Sequence, residues 1–281
     1  MPIVSLDTLK GYFDDGDVPN GAEYVDLIDT LSINSGTAIS EFLSLIGLRG
    51  FWPMGPMNET PLTLDISSNS RNLTKAGAGA SVSYDDNVAK FIPYSNFYAS
   101  QFLYRNDEAG LDITGTETSV HSSMRGLTIG CWVRIPSTAP AADTGIIGKY
   151  YTTGNQKSYL LYRRYSTNKY NFVISNDGTT GVQIESSLTL SETGGWSFIV
   201  GKFDPITEVS IFHNGYWYKN TTSIPSSIFV STARLEIGSF NNGLTSTTWT
   251  HNGALYFLTA SALTSLQIEH LYAITKPMFM F

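Results

Sequence analysis

The sequence predicts a mainly β fold, a sandwich of short antiparallel strands preceded by a short α-helical N-terminal segment. Three observations predict it. The 281 residues include 25 Gly, 16 Tyr and 15 Phe, with 42% hydrophobic and only 15% charged residues. That composition suits strands, turns and a sizeable core. Apolar residues at helical spacing are confined to residues 5–46 and one late segment, while from Leu48 onward short β-like runs alternate with turn residues.

The helical part comes first. Ser5 can cap a helix through Phe13, with Leu6, Leu9 and Phe13 at i, i+3 and i+7. "DDGDVP" stops it, because Gly16 and Pro19 both break helices. Asn20 followed by Glu23 fits a capping box, and Tyr24, Leu27, Ile28 and Leu31 then form one face of a second helix. Ile39, Phe42, Leu43 and Ile46 repeat the spacing, capped by Ser35 or Thr37 and ended by Gly47.

Beyond Leu48 the period changes. "GLRGFWPM", "GLTIGCWVRI", "SYLLYRRY", "YNFVIS", "VQIES", "GWSFIVGKF", "EVSIFHNGYWY", "ARLEIGSF" and "GALYFLTA" all read as strands. "NDGTTG", "HNG" and "FNNG" mark turns between them. So many short strands suggest a sandwich or jelly roll rather than parallel α/β units. One helix, "TSLQIEHLY", follows near the C-terminus, where Pro277 is expected to end it. The domain reading is a helical segment over 1–47 and a β domain over 48–281.

The residues argue against several kinds of chemistry. A net charge of −7 does not suit a nucleic-acid surface. No apolar run approaches the roughly 20 residues that span a bilayer, and the N-terminus lacks the pattern of a signal peptide. Cys131 is the sole cysteine, so no intrachain disulfide or thiolate cluster can form. Its alternating strand context suits an inert, buried thiol. A glycoside hydrolase needs two carboxylates about 5–10 Å apart, whereas Glu185, Glu208 and Glu236 sit singly on separate runs. His121, His213, His251 and His270 lack metal-ligand spacing, and His213 and His251 read as exposed turn residues. "KAGAGAS" lacks the ending of a phosphate loop and reads as a flexible loop. No catalytic residue, metal ligand or cofactor is therefore expected. Tyr216, Trp217 and Tyr218 after Asn214-Gly215 are the candidate sugar contacts, although such aromatics also fill cores and subunit interfaces, which is the favoured reading.

The run from Gly126 to Tyr272, with the upstream "GLRGFWPM…LTLDISSNSRNLT", resembles the concanavalin A-like, laminin-G-like jelly rolls, which share this order of strand and turn landmarks. "GALYFLTA" departs from the family's pattern: Tyr256 and Phe257 stand where sugar- or calcium-binding members often place an acidic residue. A calcium site is correspondingly not expected. The segment "LKGYFDDGDVPNGAEYVDLIDTL" resembles a module at the starts of bacteriophage tail, fibre and other virion proteins. "YRNDEAGLDITGTETSV" and "RGLTIG" are similar to segments of phage-encoded laminin-G-like proteins. This resemblance implies a non-enzymatic virion structural protein, a tail or neck appendage or a capsid decoration, made in the host cytoplasm and located in the virion. It implies a homo-oligomer, a trimer above all, with other virion proteins as partners. The alternative is a glycan-binding module or polysaccharide hydrolase used for adsorption to a host-surface glycan.

The helical segment is too small to fold alone. Because a jelly roll closes its own core, the expected partners of its apolar faces are other copies of the chain or another protein. The expected assembly interface is Leu9, Phe13, Tyr24, Leu27, Ile28, Leu31, Ile39, Phe42 and Leu43, joined by Phe279 and Phe281 from "TKPMFMF". That apolar tail has two expected destinations: under its own sandwich, or into a neighbouring subunit.

Overall fold

The computed structural model describes residues 38–54, 63–77, 83–85, 94–97, 100–116, 125–134, 141–186, 195–248 and 251–279. Among them are fifteen strands and two α-helices. Helix α1 covers 38–43. The first strands are β1 (Leu48–Trp52), β2 (Thr74–Gly77), β3 (Ser83–Asp85), β4 (Tyr94–Phe97) and β5 (Gln101–Arg105). Then come β6 (Leu127–Arg134), β7 (Thr144–Tyr151), β8 (Gln156–Arg164), β9 (Lys169–Ile174) and β10 (Val182–Glu185). The last are β11 (Trp196–Asp204), β12 (Glu208–His213), β13 (Tyr216–Asn220), β14 (Leu235–Ile237) and β15 (His251–Thr259), before helix α2 (Ser265–Phe279). The strands form two antiparallel sheets. One runs β13-β12-β11-β6-β15-β4-β3, with β1 also paired to β15; the other runs β10-β9-β8-β7-β14-β5-β2.

Alternation within the strands builds the core between the sheets. On β6, Leu127, Ile129, Cys131 and Val133 point inward, and side chains two apart share a face. They meet Tyr159 and Leu161 of β8 and Tyr170, Phe172 and Ile174 of β9. Gly201 on β11 leaves room for the Phe172 ring, which would lie 2.4 Å from a Cβ at that position. Burial pushes the Cys131 thiol well above its ordinary range, as an inert thiol requires.

The first sheet is apolar on its outer face as well. Phe51, Trp132, Phe198, Val200, Phe212 and Phe257 project outward, and the two helices cover them. Phe42 of α1 stacks on Phe51 at 4.8 Å and lies 5.2 Å from Phe257. Phe279 of α2 stacks on Trp132 at 4.5 Å, and the indole N–H of Trp132 donates to Thr275 Oγ1 at 2.9 Å. A capping box starts α2: Thr264 N donates to Gln267 Oε1 at 2.9 Å, and Gln267 N donates back to Thr264 Oγ1 at 3.2 Å.

Several expectations are corrected. The sandwich does not complete its own cover, because one sheet has two apolar faces. Phe42 and Phe279, expected at an assembly interface, are enclosed against the chain's own first sheet and are not available to a partner there. Ile39 packs partly into the same layer, and Leu43 is exposed. Pro277 lies inside α2 rather than ending it. It removes one backbone donor from the last turn, and burial of Met278 and Phe279 holds that turn in place. His213 and His251 are buried strand residues, not exposed turn residues. The start of "KAGAGAS" is strand β2, paired along β5. Leu9, Phe13, Tyr24, Leu27, Ile28, Leu31 and Phe281 lie outside the described residues.

Candidate functional site

The hairpin joining β12 to β13 turns at Asn214 and Gly215, which have φ of 49° and 99°. Positive φ at both central residues gives the tight turn whose twist matches the flanking strands, and His213 pairs with Tyr216 across it. Strand alternation then separates the three candidate sugar contacts. Tyr216, at the tip, is 60% exposed. Trp217 faces the helical layer, edge-on to Phe212 at 5.1 Å, and donates its indole N–H to Glu269 Oε1 at 2.8 Å. Lys202 and Lys219 sit over its ring at 5.9 and 5.8 Å. Tyr218 packs against the inner core. The three do not form one platform.

The same strand leads into a cleft. Lys219, Asn220, Thr221 and Thr222 run beside the edge strand β10 of the other sheet, where Asn220 Nδ2 donates to the Gln183 carbonyl at 3.3 Å. Thr222 N donates to Asn220 Oδ1 at 2.9 Å, fixing the turn that follows β13. Arg164, Asn171, Gln183, Ile184 and Glu185 complete a cleft of about 440 Å³.

Its floor is polar and tightly bonded, with one exception. Glu185 Oε1 accepts from Thr167 Oγ1 at 2.7 Å and from Asn171 Nδ2 at 3.1 Å. Lys169 lies 3.6 Å from Glu185 Oε2 and Arg164 lies 3.9 Å from Oε1. Burial works against the Glu185 charge, but these hydrogen bonds and cations outweigh it and hold the carboxyl below the usual glutamate range. The exception is Asn171. Its side chain is fully buried, its amide N–H groups are directed to Glu185 and to the Lys169 carbonyl, and its Oδ1 has no partner. A buried acceptor left unpaired costs about 1–3 kcal/mol.

On the Trp217 side of β13, Glu208 is gripped by Lys202 at 2.9 Å and Lys219 at 3.0 Å, with Asp204 beside them. Burial again opposes the charge, and the two lysines overcome it and lower the Glu208 pKa. The cleft thus offers cationic and amide donors beside an open acceptor, which suits a ligand dense in hydroxyl groups. Glu185 is the one carboxylate among its described lining residues. Among the described residues no group of three or more His, Cys, Asp or Glu is arranged to hold a metal ion. Tyr256 points into the core beside His251, and Phe257 lies in the outer layer.

Sequence reasoning reached β13 but stopped short of the cleft, whose residues come from four separate segments. Arg164, Asn171, Gln183, Glu185 and Lys219 to Thr222 carry no common motif; the local signal was the polar "KNTT" directly after "YWY".

Comparison with known proteins bears on the fold. A laminin-G-type family model described as the concanavalin A-like lectin/glucanases superfamily matches residues 109–257, just over half the chain. No curated protein matches the chain in sequence. Among solved structures, the binding domain of Paraclostridial Mosquitocidal Protein 1 superposes with a TM-score of 0.60 at 11% identity, covering 80% of this chain and 52% of that one. The binding domain of botulinum neurotoxin DC in complex with rat synaptotagmin II gives 0.57 at 11% identity, covering 83% and 52%. A structure of botulinum neurotoxin type C, whose cell entry depends on two ganglioside molecules, gives 0.59 at 12% identity, covering 84% and 53%. This chain spans about half the length of these structures. At such identities the likeness is one of fold.

Proposed function

We propose that this chain, which belongs to the concanavalin A-like lectin/glucanases superfamily, is a non-enzymatic carbohydrate-binding jelly roll whose ligand sits in the cleft between β10 and β13. The observation that carries the reading is Asn171 Oδ1, a fully buried acceptor without a partner in the wall of a polar cleft. A sugar hydroxyl or an acetamido N–H satisfies it, and neighbouring donors from Gln183, Thr221 and Thr222 suit a polyhydroxylated ring. The neurotoxin whose entry depends on gangliosides supports a glycan ligand by likeness of fold. A binding role is favoured over hydrolysis because Glu185 has no second carboxylate among the cleft's described residues.

The proposed setting is a bacteriophage virion, on the resemblance of residues 9–31 to virion protein starts. There the N-terminal segment joins copies of the chain to one another and to other virion proteins, and the jelly rolls face the host. Repetition then turns weak single contacts into firm adsorption. Antibody labelling of particles by electron microscopy tests the setting, and unlabelled particles would overturn it.

A glycan array followed by titration calorimetry tests the binding. Asn171→Ala is expected to weaken the best ligand about tenfold, and because the Asn171 amide also donates to Glu185 and to the Lys169 carbonyl, circular dichroism is used to check that the variant keeps the parent fold. Unchanged affinity would remove the cleft from the mechanism, and release of reducing ends from the bound polysaccharide would overturn the non-enzymatic reading.

A further inference from the structure

Three Asn-Gly steps lie among the described residues: Asn214-Gly215, Asn242-Gly243 and Asn252-Gly253. Each sets a side-chain amide next to a glycine nitrogen that no side chain shields. The fold treats them differently. Asn214 is held, because its Oδ1 accepts from Phe198 N at 2.8 Å and its own N–H donates to the Phe198 carbonyl at 3.1 Å. Asn252 is held in the extended backbone of β15, paired with Asn96 of β4 on one side and Arg134 of β6 on the other. Asn242 is exposed, in a turn with φ of 57° at Asn242 and 70° at Gly243. Among the described residues no hydrogen bond ties its side chain.

The nitrogen of Gly243 also faces a base. Its N–H donates to Glu236 Oε2 at 3.1 Å, while Glu236 Oε1 is taken by Arg234 Nε at 2.5 Å. Glu236 is 2% exposed, and burial raises its pKa despite Arg234, so this carboxylate draws a proton more strongly than an ordinary one. A carboxylate within hydrogen-bond reach of the proton to be moved is the placement that general-base catalysis needs.

We infer that Asn242 is a site of self-modification, where the Gly243 nitrogen closes on the Asn242 side chain with Glu236 as the base. Glu236 Oε2 takes the Gly243 amide proton, and the nitrogen forms a bond to Asn242 Cγ. The bond from Cγ to the side-chain nitrogen breaks, ammonia leaves with the proton that Glu236 returns, and a five-membered imide remains. Water then opens the imide at either carbonyl, giving aspartate or isoaspartate. The sum is a carboxamide plus water to a carboxylic acid plus ammonia, with no change of oxidation state. The reacting groups belong to adjacent residues, so their effective concentration is high without any enzyme. The product places a negative charge in a turn packed on Phe102, whose ring would lie 2.2 Å from a Cβ at Gly243. Isoaspartate also lengthens the backbone by one carbon, beside the Asn241 Oδ1 that accepts from Thr152 N at 2.7 Å.

The test incubates the full chain in neutral buffer made with heavy-oxygen water, and peptide mapping reads each Asn-Gly step separately. Fragment spectra place the label and separate isoaspartate from aspartate. In the folded chain Asn242 is expected to convert at least about tenfold faster than Asn214 and Asn252. In concentrated urea the three should convert at similar rates, because Glu236 no longer faces Gly243. Glu236→Gln should slow Asn242 about tenfold, with circular dichroism checking the fold. Equal rates at the three steps in the folded chain overturn the inference, as does an unchanged Asn242 rate in folded Glu236→Gln. If Glu236→Gln does not fold, the folded and urea-unfolded parent decide the matter: a lead for Asn242 that persists in urea overturns the inference, and one that vanishes supports it.

Discussion

The imidazole of His213 stands inside the sandwich, in edge contact with Tyr170 at 4.9 Å and with Ser197 Oγ 3.3 Å from Nε2. Its Nδ1 has no partner. Burial lowers its pKa from 6.5 to about 4, because a charged ring there would be stripped of water. The consequence for stability has a definite sign. Between pH 6.5 and 4 the unfolded chain binds a proton that the folded chain refuses. Stability is therefore full above pH 6.5, falls as the pH drops, and levels out below about 4. The loss amounts to about 3 kcal/mol at most. Urea unfolding at pH 7, 5.5 and 4 should show this fall, and His213→Gln should flatten it across that window. An equal slope in the variant would assign the effect to other groups.

Helix α2 works as a lid on the first sheet rather than as a free element. Thr264 and Gln267 fix its start, and Trp132, Thr275 and Phe279 fix its far end. Phe279→Ala removes a ring stacked on Trp132 and 4.8 Å from Trp196, and should cost about 3–5 kcal/mol. Truncation after Lys276 should cost at least as much. Thermal unfolding of both variants checks this, and an unchanged melting temperature would mean the tail is held elsewhere. Part of this was legible beforehand. "LTIGCWVR" alternates, so β6 could be read directly, and the Asn214-Gly215 turn announced its hairpin. In "WSFIVGKF" apolar residues occupy both parities, Phe198 and Val200 outward and Ile199 and Phe203 inward, which is the mark of a strand buried on both faces. That sign pointed to an outer cover but not to which segment supplied it. β4 and β5 escaped because they are short, and in β5 Gln101, Phe102 and Leu103 are all buried, so the alternation is erased. The cleft escaped for a different reason. Asn171 looks like an ordinary polar residue in "KYNFVIS" until β9 and β10 bring it against Glu185 and the turn after β13 joins it in lining one cleft.

At the scale of the whole molecule there are three layers: a covered outer face, the first sheet, and the second sheet across the main core. The cover joins residues far apart in sequence, since α1 and α2 bury one apolar surface together. This divides the roles of the N-terminal region between two stretches. Residues 38–46 belong to the folded body: Phe42 stacks on Phe51, and the Ile46 carbonyl accepts from Ser261 Oγ at 2.6 Å. Residues 1–37 contain Leu9, Phe13, Tyr24, Leu27, Ile28 and Leu31, to which the proposed function assigns assembly. Two deletions separate the roles. Removing 1–37 should leave the melting temperature near that of the parent while abolishing oligomers in light scattering. Removing 1–46 should in addition expose Phe51 and Phe257 and lower stability by about 3 kcal/mol or more. Ile28→Asp should reproduce the first deletion in the full-length chain, because a charge placed in an apolar contact without a partner costs several kcal/mol. If Ile28→Asp assembles normally, the apolar face of residues 24–31 is not the contact. If the two deletions melt together, Phe42 contributes nothing to the cover, and the division falls at residue 47 rather than at residue 37.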